Sequence, residues 1–360
     1  MAQTKTALLI FFNGKSNAGG AERMVQYLEE YLISKNVSTK IIDEAFLMNT
    51  FFGHWYKKLF NYKHFSKRKS IYLARFASAY LWLYKKKGQL VFSNGESTPF
   101  FPVDFVMNNG CYHRMELDYG RTKPKLSRIS KLQKTSCKYA KNIITVAEKV
   151  KGDLVKYYNI PEAKIEVITN RVDSNYFLPL PKESNAIKTV AYIGRLEEGK
   201  GLGSLLKLAE IIEESDNWQL LIACNNPSKI ELFSKYKRTK IKVGLSFSNI
   251  NKEAYSKADL IFYPSHSESF GMVTIEALSA GIPVIATPVG IVTDLAKRSF
   301  PGIHILPEKI DENILKHFNN IVDTFAQTIN RKVLHEMIKE EFGISTYHKR
   351  LDEVIGLKIL

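Results

Sequence analysis

The chain has 360 residues, of which 45% are hydrophobic and 24% charged, enough for two ordinary domains with cores of their own. We find no signal peptide and no apolar stretch long enough to span a bilayer. The three cysteines show neither metal-ligand spacing nor a disulfide framework, so we expect a protein of a reducing compartment.

The formal net charge of +16 is unevenly distributed. Residues 1–170 hold 28 Lys and Arg against 13 Asp and Glu, whereas residues 171–360 hold 24 against 23. Residues 45–95 contain ten Lys or Arg and no acidic residue. The basic partner surface that this excess implies therefore belongs to the first half alone.

Short apolar runs rich in β-formers alternate with helical patterns, which is typical of parallel sheets built from βαβ units. The predicted strands are residues 6–12, 39–42, 89–93, 104–107, 142–146 and 165–169, and then 189–193, 219–223, 241–244, 260–263, 283–286 and 304–306. Two successive series predict two doubly wound domains, with a seam in the Pro-containing stretch 170–185. Because ligands of open α/β sheets bind outside the carboxyl ends of the strands, the strand-to-helix loops should carry the chemistry.

The loop after the seventh predicted strand, "GRLEEGKGLGS", partly matches the P-loop pattern G-x-x-x-x-G-K-[ST]. Gly194, Gly199 and Lys200 fall on the pattern, but Gly201 stands where a magnesium-binding hydroxyl is needed. What remains is glycine-rich backbone with two fixed cations, Arg195 and Lys200, which could neutralise a nucleotide diphosphate without metal. A glycine-rich turn with solvated charges is the alternative interpretation.

The stretch "YPSHSESFGMVTIEALSAGIPVIATPVG", residues 263–290, reads as strand, polar loop, helix, turn and strand. Ser269 is the predicted N-cap, and Gly271 leaves the helix start open to an anion. Glu268 in the loop and Glu276 on the helix could each accept hydrogen bonds from a pair of hydroxyls, as on a ribose or a sugar. A solvated helix face is the alternative interpretation for an isolated Glu.

Four motifs resemble, in the same order, those of glycosyltransferase family 4, and they cover most of the chain. They are similar to its N-terminal glycine loop, its domain-junction segment, its G-R-L-x-x-x-K-G loop and its E-x7-E motif. In this sequence they lie at residues 19–22, 158–177, 194–201 and 268–276. The junction departs from the family with Asn170-Arg171 in place of Asn-Gly, and Gly290 is followed by Ile291 where a second Gly is common.

The resemblance implies the α/β GT-B fold, with two doubly wound Rossmann-like domains facing across a cleft. It implies an acceptor-binding domain at residues 1–170, with the C-terminal helix 345–360 packing back on it, and a nucleotide-sugar-binding domain at residues 171–344. It also implies transfer of a sugar with retained anomeric configuration, without a metal or another cofactor.

Site residues carry over from the family motifs by position. Arg195 and Lys200 would bind the diphosphate and stabilise the departing charge, while Glu276 would hold the ribose and Glu268 the transferred sugar. Ser269, Phe270, Gly271 and Met272 would lie against the donor, and Gly19 and Gly20 would let backbone approach the donor phosphate or the acceptor. The segment "MNNGCYHRMELDYGR" resembles a family loop with a functional histidine, which makes His113 the fourth catalytic candidate beside Arg195, Lys200 and Glu268.

We therefore expect a retaining hexosyltransferase. It would move a hexose or N-acetylhexosamine from a nucleotide-diphosphate sugar, UDP rather than GDP, to a glycan or lipid-linked acceptor in bacterial surface polysaccharide or glycoconjugate synthesis. One alternative is a basic nucleic-acid-binding protein, which a pI near 9.5 would fit, although no recognised nucleic-acid module is present and we expect no such partner. Another GT-B enzyme, such as a nucleotide-sugar epimerase, is the second alternative.

The acid-free stretch at residues 54–88 interleaves its cations with aromatic residues. Its apolar part, residues 71–84, is too short and too interrupted to span a bilayer. A basic, aromatic-rich amphipathic segment can lie in the headgroup plane, and each cation near an anionic leaflet adds attraction. We expect a cytoplasmic protein attached peripherally to the anionic inner face of the cell membrane, although a core helix with a solvated basic end would look similar.

Overall fold

The structure is a computed structural model that describes residues 5–14, 20–51, 53–55, 62–118, 124–181 and 186–356. The chain divides into two compact units. One comprises Met1–Thr169 together with His348–Leu360, and the other comprises Asn170–Tyr347. Each unit contains one six-stranded sheet in which all strands are parallel, so the doubly wound α/β architecture is present twice.

The sheet of the first unit has the strand order β2-β1-β3-β4-β5-β6. Its strands are β1 (Thr6–Ile10), β2 (Ser38–Ile42), β3 (Leu90–Asn94), β4 (Phe105–Asn108), β5 (Asn142–Thr145) and β6 (Ile165–Val167). Its helices are α1 (Gly20–Ser34), α2 (Glu44–Met48), α3 (Tyr62–Tyr84), α4 (Tyr112–Asp118), α5 (Pro124–Tyr139) and α6 (Glu148–Tyr158).

Central strands of this sheet are buried on both faces, which is why they read as continuous apolar runs in the sequence. Phe92 of β3 lies opposite Phe105 of β4 in the ladder, and their rings stack with centroids 4.9 Å apart. Both side chains are fully buried. Leu9 on β1 and Leu28 on α1 are equally inaccessible, so the core of the first unit runs from the sheet to its flanking helices.

The sheet of the second unit has the order β12-β11-β10-β7-β8-β9. Its strands are β7 (Lys188–Ile193), β8 (Trp218–Cys224), β9 (Thr239–Val243), β10 (Leu260–Tyr263), β11 (Val284–Ala286) and β12 (Ile303–Ile305). Its helices are α7 (Leu202–Glu213), α8 (Phe247–Glu253), α9 (Met272–Ser279), α10 (Ile291–Lys297), α11 (Asn313–Thr328), α12 (Arg331–Phe342) and the start of α13 (Ile344–Leu351). All twelve predicted strands are present.

The core of the second unit is built on aromatic residues from the sheet and from α11. Trp218 of β8 is buried, and its ring meets Phe318 of α11 edge-on with centroids 5.5 Å apart. Phe262 of β10 packs on the same Phe318 ring. This packing fixes β10 and β8 against one helix and so holds the loops at their carboxyl ends in place.

Helix α3 buries one face in the first unit. Leu73, Ala74, Ala77 and Leu81 recur at helical spacing and are all buried, as the core-helix interpretation of this stretch expects. That apolar face is therefore not free to enter a headgroup layer. The end of the helix is different, because Trp82, Leu83 and Tyr84 are 57–67% exposed. Residues 56–61 of the basic stretch lie outside the described part of the chain.

The C-terminal segment belongs to the first unit. The Tyr31 hydroxyl of α1 donates a hydrogen bond to Asp352 at 2.9 Å, and the Lys35 ammonium binds the other carboxylate oxygen at 2.9 Å. The rings of Tyr31 and His348 meet edge-on. Helix α13 thus begins in the second unit and ends in the first, with the boundary between Tyr347 and His348. In the described residues, no helix is long and apolar enough to cross a membrane.

Candidate functional site

The topological switch point of the second sheet lies between β7 and β10. These strands are hydrogen-bonded neighbours, but the chain continues from β7 to β8 on one side and from β10 to β11 on the other. The two loops that follow β7 and β10 therefore leave the same edge of the sheet side by side. Such a position is where open α/β sheets bind their ligands. These loops, 194–201 and 264–271, are those that the sequence motifs selected.

The two loops are joined through backbone. The Gly199 carbonyl accepts hydrogen bonds from the His266 N–H at 3.1 Å and from the Ser265 hydroxyl at 3.3 Å. Gly201 has a φ of +80°, and a Cβ at this position would overlap the Pro264 carbonyl. Glycine is required there both by the left-handed backbone and by the close approach of the second loop.

Lys200 and Glu268 bring the two loops together through their side chains. The Lys200 ammonium lies 2.5 Å from a Glu268 carboxylate oxygen, and the Tyr263 hydroxyl donates to that same oxygen at 2.5 Å. The side chains of Lys200 and Glu268 are 22% and 11% exposed, so this ion pair is largely shielded from water. Burial, reinforced by the Glu268 charge, raises the pKa of Tyr263 well above its usual value and keeps it a proton donor.

Arg195 extends from the same loop toward solvent. Its guanidinium is 3.1 Å from the Glu197 carboxylate, and its side chain is 61% exposed. The Tyr192 hydroxyl donates to the Arg195 carbonyl at 2.6 Å and so fixes the backbone from which the guanidinium projects. Burial raises the pKa of Tyr192, and the nearby Glu268 charge raises it further. Arg195 thus projects toward solvent from an anchored loop.

Helix α9 begins at Met272, and its N-cap is Gly271 with a φ of +91° and no capping side chain. The prediction of Ser269 as the N-cap is therefore wrong. The reason is that the left-handed turn at Gly271 starts the helix two residues later. Because no side chain caps α9, the backbone N–H groups of its first turn and the positive end of the helix dipole can attract an anion.

Phe270 anchors this loop to the next strand-to-helix connection. Its carbonyl accepts a hydrogen bond from the Ile291 N–H at 2.7 Å, and its side chain is buried. Gly290, with a φ of +55°, passes so close that a Cβ there would overlap the Phe270 carbonyl. Ile291, which departs from the family pattern, has its side chain buried. The departure is accommodated inside the unit.

Glu276 is buried one turn into α9, with 4% of its surface exposed. The Tyr255 hydroxyl donates to its carboxylate at 2.7 Å. A solvated helix face, the alternative interpretation from the sequence, does not describe this residue. Burial of a carboxylate costs free energy unless hydrogen bonds satisfy it, and the Tyr255 hydroxyl supplies one such bond.

His113 lies in the first unit, on the short helix α4 after β4. Its side chain is 36% exposed, with Nδ1 3.7 Å from the Glu116 carboxylate. The ring packs on Tyr157 with centroids 5.0 Å apart, and the Tyr158 hydroxyl accepts from the His113 N–H at 3.3 Å. The histidine is thus held at a strand end with part of its ring accessible. Gly20 is the first residue of α1, and Gly19 lies outside the described residues.

The first unit has its own switch point, between β1 and β3, and a cavity of about 390 Å³ opens there. Its volume falls in the range of about 300–1,000 Å³ typical of small-molecule sites. Loops after β1 and β3 line it, together with α1, α2, α3 and Tyr112 of α4. The polar residues among the lining are Asn13, Glu22, Glu44, Lys69, Ser70, Asn94, Glu96 and Tyr112.

Carboxylates dominate this cavity. Asn13 donates to Glu22 at 3.0 Å, and Glu44 forms an ion pair with Lys69. Burial raises the pKa of Glu96, although hydrogen bonds from its own N–H and from Tyr112 oppose the shift. The Glu96 charge is in turn the main cause of the raised pKa of Tyr112. In the described residues no group of three or more His, Cys, Asp or Glu side chains is placed to hold a metal ion.

Several of these groups were not anticipated from the sequence. Tyr192 and Tyr263 lie at the carboxyl ends of β7 and β10, where tyrosine is an ordinary strand residue, and only their hydroxyl contacts reveal a role. Tyr255 is likewise recognisable only through Glu276. A tyrosine ending a buried strand just before a glycine-rich or polar loop is the signal that could have identified the first two.

Comparison with known protein families gives two consecutive matches. Residues 18–176 match the family described as "Glycosyltransferase Family 4", and residues 181–344 match "Glycosyl transferases group 1". The first range contains the cavity-lining residues Glu22, Glu44 and Glu96. The second contains Lys200 and Glu268 with both loops of the second switch point.

Curated relatives carry related descriptions. The chain is 30% identical over 187 residues to an uncharacterized glycosyltransferase of Methanocaldococcus jannaschii, 47% of this chain and 48% of the relative. It is 28% identical over 207 residues to the O-antigen chain mannosyltransferase of Salmonella typhimurium, 55% and 57% of the two chains. It is 31% identical over 158 residues to a D-inositol 3-phosphate glycosyltransferase of Segniliparus rotundus, 39% and 35%. The match spans about half the length of the first two relatives and about a third of the last.

Solved structures share the fold over nearly the whole chain. Sucrose-phosphate synthase from Thermosynechococcus elongatus superposes with a TM-score of 0.74 at 17% identity, covering 98% of both chains. HepE of Anabaena, solved with UDP-glucose, gives 0.67 at 14% identity, covering 98% and 99%. At these identities the likeness concerns the fold, which is GT-B.

Proposed function

Because the chain belongs to glycosyltransferase family 4 and has the GT-B fold, we propose that it transfers a hexose or N-acetylhexosamine from a nucleotide-diphosphate sugar to a glycan or lipid-linked acceptor. The donor is held by the second unit and the acceptor by the first. The anomeric configuration is retained, and no metal is required. The observation that carries the proposal is the Lys200–Glu268 pair, which joins two loops at the switch point of the second sheet.

The cations of the switch-point loop would receive the diphosphate. Lys200 offers a compact ammonium and Arg195 a planar guanidinium with several N–H donors. Both side chains project from the glycine-rich loop 194–201. The start of α9 adds backbone N–H groups and the positive end of the helix dipole. Charge grows on the diphosphate as its bond to the sugar breaks, so cations fixed there accelerate the reaction.

Donor binding would exchange the partners of Lys200. In the unliganded protein its ammonium is neutralised by Glu268, which also accepts from Tyr263. When Lys200 turns to the diphosphate, the Glu268 oxygen that it leaves regains one acceptor position for a sugar hydroxyl, while the Tyr263 hydroxyl still bound to that oxygen keeps the carboxylate oriented. Glu268 thereby changes from the ion-pair partner of Lys200 to a sugar-binding group, and the backbone need not rearrange.

Glu276 would bind the ribose hydroxyls, and UDP is the preferred nucleotide. Support for UDP comes from HepE, a structural neighbour solved with UDP-glucose. The Glu276 carboxylate, which accepts from the Tyr255 hydroxyl, would accept hydrogen bonds from the ribose hydroxyls as well. Backbone of Phe270, Gly271 and Met272 would complete the donor site beside Ser269.

The acceptor would bind at the switch point of the first unit, with His113 on α4 and Gly20 at the start of α1. Gly19, which lies outside the described residues, is proposed to contribute as well. The relatives carry two acceptor chemistries in their names, an O-antigen chain and D-inositol 3-phosphate. A role in bacterial surface polysaccharide or glycoconjugate synthesis follows the first of these. The family match favours this enzyme over a nucleic-acid-binding protein or an epimerase.

The first unit would attach peripherally to the cytoplasmic face of an anionic membrane. Support comes from the end of α3, where Trp82, Leu83 and Tyr84 are exposed and Phe100 is 49% exposed nearby. The Trp82 indole is fixed by a hydrogen bond to the Phe100 carbonyl at 2.9 Å. Lys85, Lys86 and Lys87 follow directly, and this pairing of aromatic side chains with cations matches a headgroup layer.

Vesicle co-sedimentation tests the membrane attachment. The intact protein should sediment with vesicles containing phosphatidylglycerol at low salt and dissociate at high salt. The double variant Lys86→Glu/Lys87→Glu should lose most of this binding. Lys131→Glu/Lys138→Glu, with the same charge change on exposed positions of α5, should retain it. Equal loss in both variants would show that only net charge matters.

A transfer assay followed by NMR tests the enzymatic proposal. The intact protein is incubated with a UDP-sugar and an oligosaccharide acceptor panel, and the product's anomeric proton coupling is compared with that of the donor. We expect the same configuration in donor and product, and turnover that persists in EDTA. An inverted product, or turnover abolished by EDTA and restored by magnesium, would contradict the proposed mechanism.

A further inference from the structure

We infer that the cavity of the first unit selects an unphosphorylated sugar as the acceptor end and excludes phosphomonoesters and other anions. This deepens the proposed function and rests on its assignment of the acceptor to the first unit. The inference names the chemistry of the group that enters the cavity, which the relatives leave open between a glycan chain and a phosphorylated polyol.

The charge of the cavity is opposite to that of the unit around it. Among the described lining residues there are three glutamates and one lysine. The lysine, Lys69, is already neutralised by Glu44. Glu22 and Glu96 remain, and they accept hydrogen bonds from neutral donors, the amides of Asn13 and Asn94 and the hydroxyl of Tyr112. A phosphate entering here would meet two carboxylates, and the juxtaposition of like charges is unfavourable.

Hydroxyl groups fit the same surroundings. Ionised carboxylates only accept hydrogen bonds, and sugar hydroxyls donate them. Asn13 and Asn94 can both donate and accept, which suits hydroxyls that do the same, and the Tyr112 ring lies in the wall beside them.

Several residues of the cavity lining lie on regular elements or close to their ends. Gly14, in the loop after β1, has a φ of +62°, and Asp43 caps helix α2 by accepting from the Phe46 N–H at 2.8 Å. Helix α2 carries Glu44 into the lining directly after this cap. Glu96 follows β3, and Asn94 is the last residue of that strand. The carboxylates are thus carried by the ends of regular elements, which position them better than a free loop would.

Binding measurements on the full-length protein test the inference without relying on turnover. Saturation-transfer NMR is recorded with methyl mannoside, methyl galactoside and glucosamine, and with mannose 6-phosphate and inositol 1-phosphate. Donor binding is measured separately by calorimetry on the same preparation, so that failure of the donor site and failure of the cavity are told apart. The variants are Glu22→Gln and Glu96→Gln, with Glu166→Gln as the control.

Glu166 is a suitable control because it is exposed on β6, at the far edge of the same sheet, and its replacement removes the same charge. We expect a neutral or amino sugar to bind at least about tenfold more tightly than its phosphorylated counterpart. This preference should shrink at high salt and in Glu22→Gln and Glu96→Gln, but not in Glu166→Gln. Phosphorylated sugars binding as tightly as neutral ones, or no sugar binding while the donor binds, would overturn the inference.

Discussion

The Lys200 ammonium and the Glu268 carboxylate lie 2.5 Å apart, although 68 residues separate them in the chain. One follows β7 and the other follows β10, and only the pairing of these two strands brings them together. The pair is largely shielded from water, with Tyr263 as a third partner. In the proposed mechanism, the cation turns to the diphosphate and the carboxylate to the sugar of one donor.

Replacing Lys200 by Ala should lower turnover by about 10²–10³-fold, because a cation aimed at the departing diphosphate is lost. Arg195→Ala should lower it by a similar factor, with a smaller effect on folding because its side chain is mostly exposed. The control is Lys207→Ala on α7 in the same unit, whose lysine is exposed and pairs with Glu210. Steady-state kinetics measures the three variants. An equal loss of activity in all three would contradict a specific role of Arg195 and Lys200 in catalysis.

Gly201→Ala should abolish donor binding and destabilise the second unit. The added Cβ would overlap the Pro264 carbonyl, and the φ of +80° is unfavourable for alanine. Gly203→Ala, two residues later on α7, has nothing within 4 Å of its new Cβ and should be neutral or stabilising by up to about 1 kcal/mol. Thermal unfolding and calorimetric titration of the two variants measure both effects. Similar behaviour of the two would contradict this account of the loop contact.

Glu276→Ala should weaken nucleotide-sugar binding, and burial of the residue adds a cost in stability. The Tyr255 hydroxyl would lose its acceptor, at about 1–3 kcal/mol if it stays unsatisfied. Tyr255→Phe separates the two effects, since it removes the same hydrogen bond but leaves the carboxylate for the ribose. We expect this variant to keep more donor affinity than Glu276→Ala. Unchanged donor affinity of folded Glu276→Ala would remove the ribose assignment.

Asp352→Asn should destabilise the first unit in a pH-dependent way. The hydrogen bond from Lys35 is the main reason that the pKa of Asp352 is lowered, with a further contribution from Tyr31. A lowered folded-state pKa stabilises the fold above the unfolded value near 4, and this contribution is lost as the pH falls through the folded value. Wild type and Asp352→Asn should therefore differ in denaturant midpoint at pH 7 and converge at acidic pH. Glu353→Gln, at an exposed neighbour, should match wild type throughout.

The twelve strands were predictable because a parallel sheet covered on both faces demands continuous apolar runs, as in β1 and β10. The strand order was not predictable, because the pairing of β7 with β10 depends on how the helices between them pack. The sequence therefore indicated Lys200 and Glu268 as motif residues but not as a pair. Ser269 was mispredicted because a left-handed Gly271 overrides the side-chain preference for the N-cap. Interleaved cations and aromatic residues suggested one amphipathic surface on α3, whereas its apolar face is used by the core.

Thermal unfolding of the intact protein with a panel of UDP- and GDP-sugars tests the central claim most directly. A ligand that binds the folded state at 100 times its Kd should stabilise it by about 2.7 kcal/mol. We predict that one UDP-sugar raises the Tm of the wild type in the presence of EDTA, and that Lys200→Ala loses most of this shift while Lys207→Ala keeps it. No shift with any nucleotide sugar, or an equal shift in Lys200→Ala, would contradict the proposed donor site.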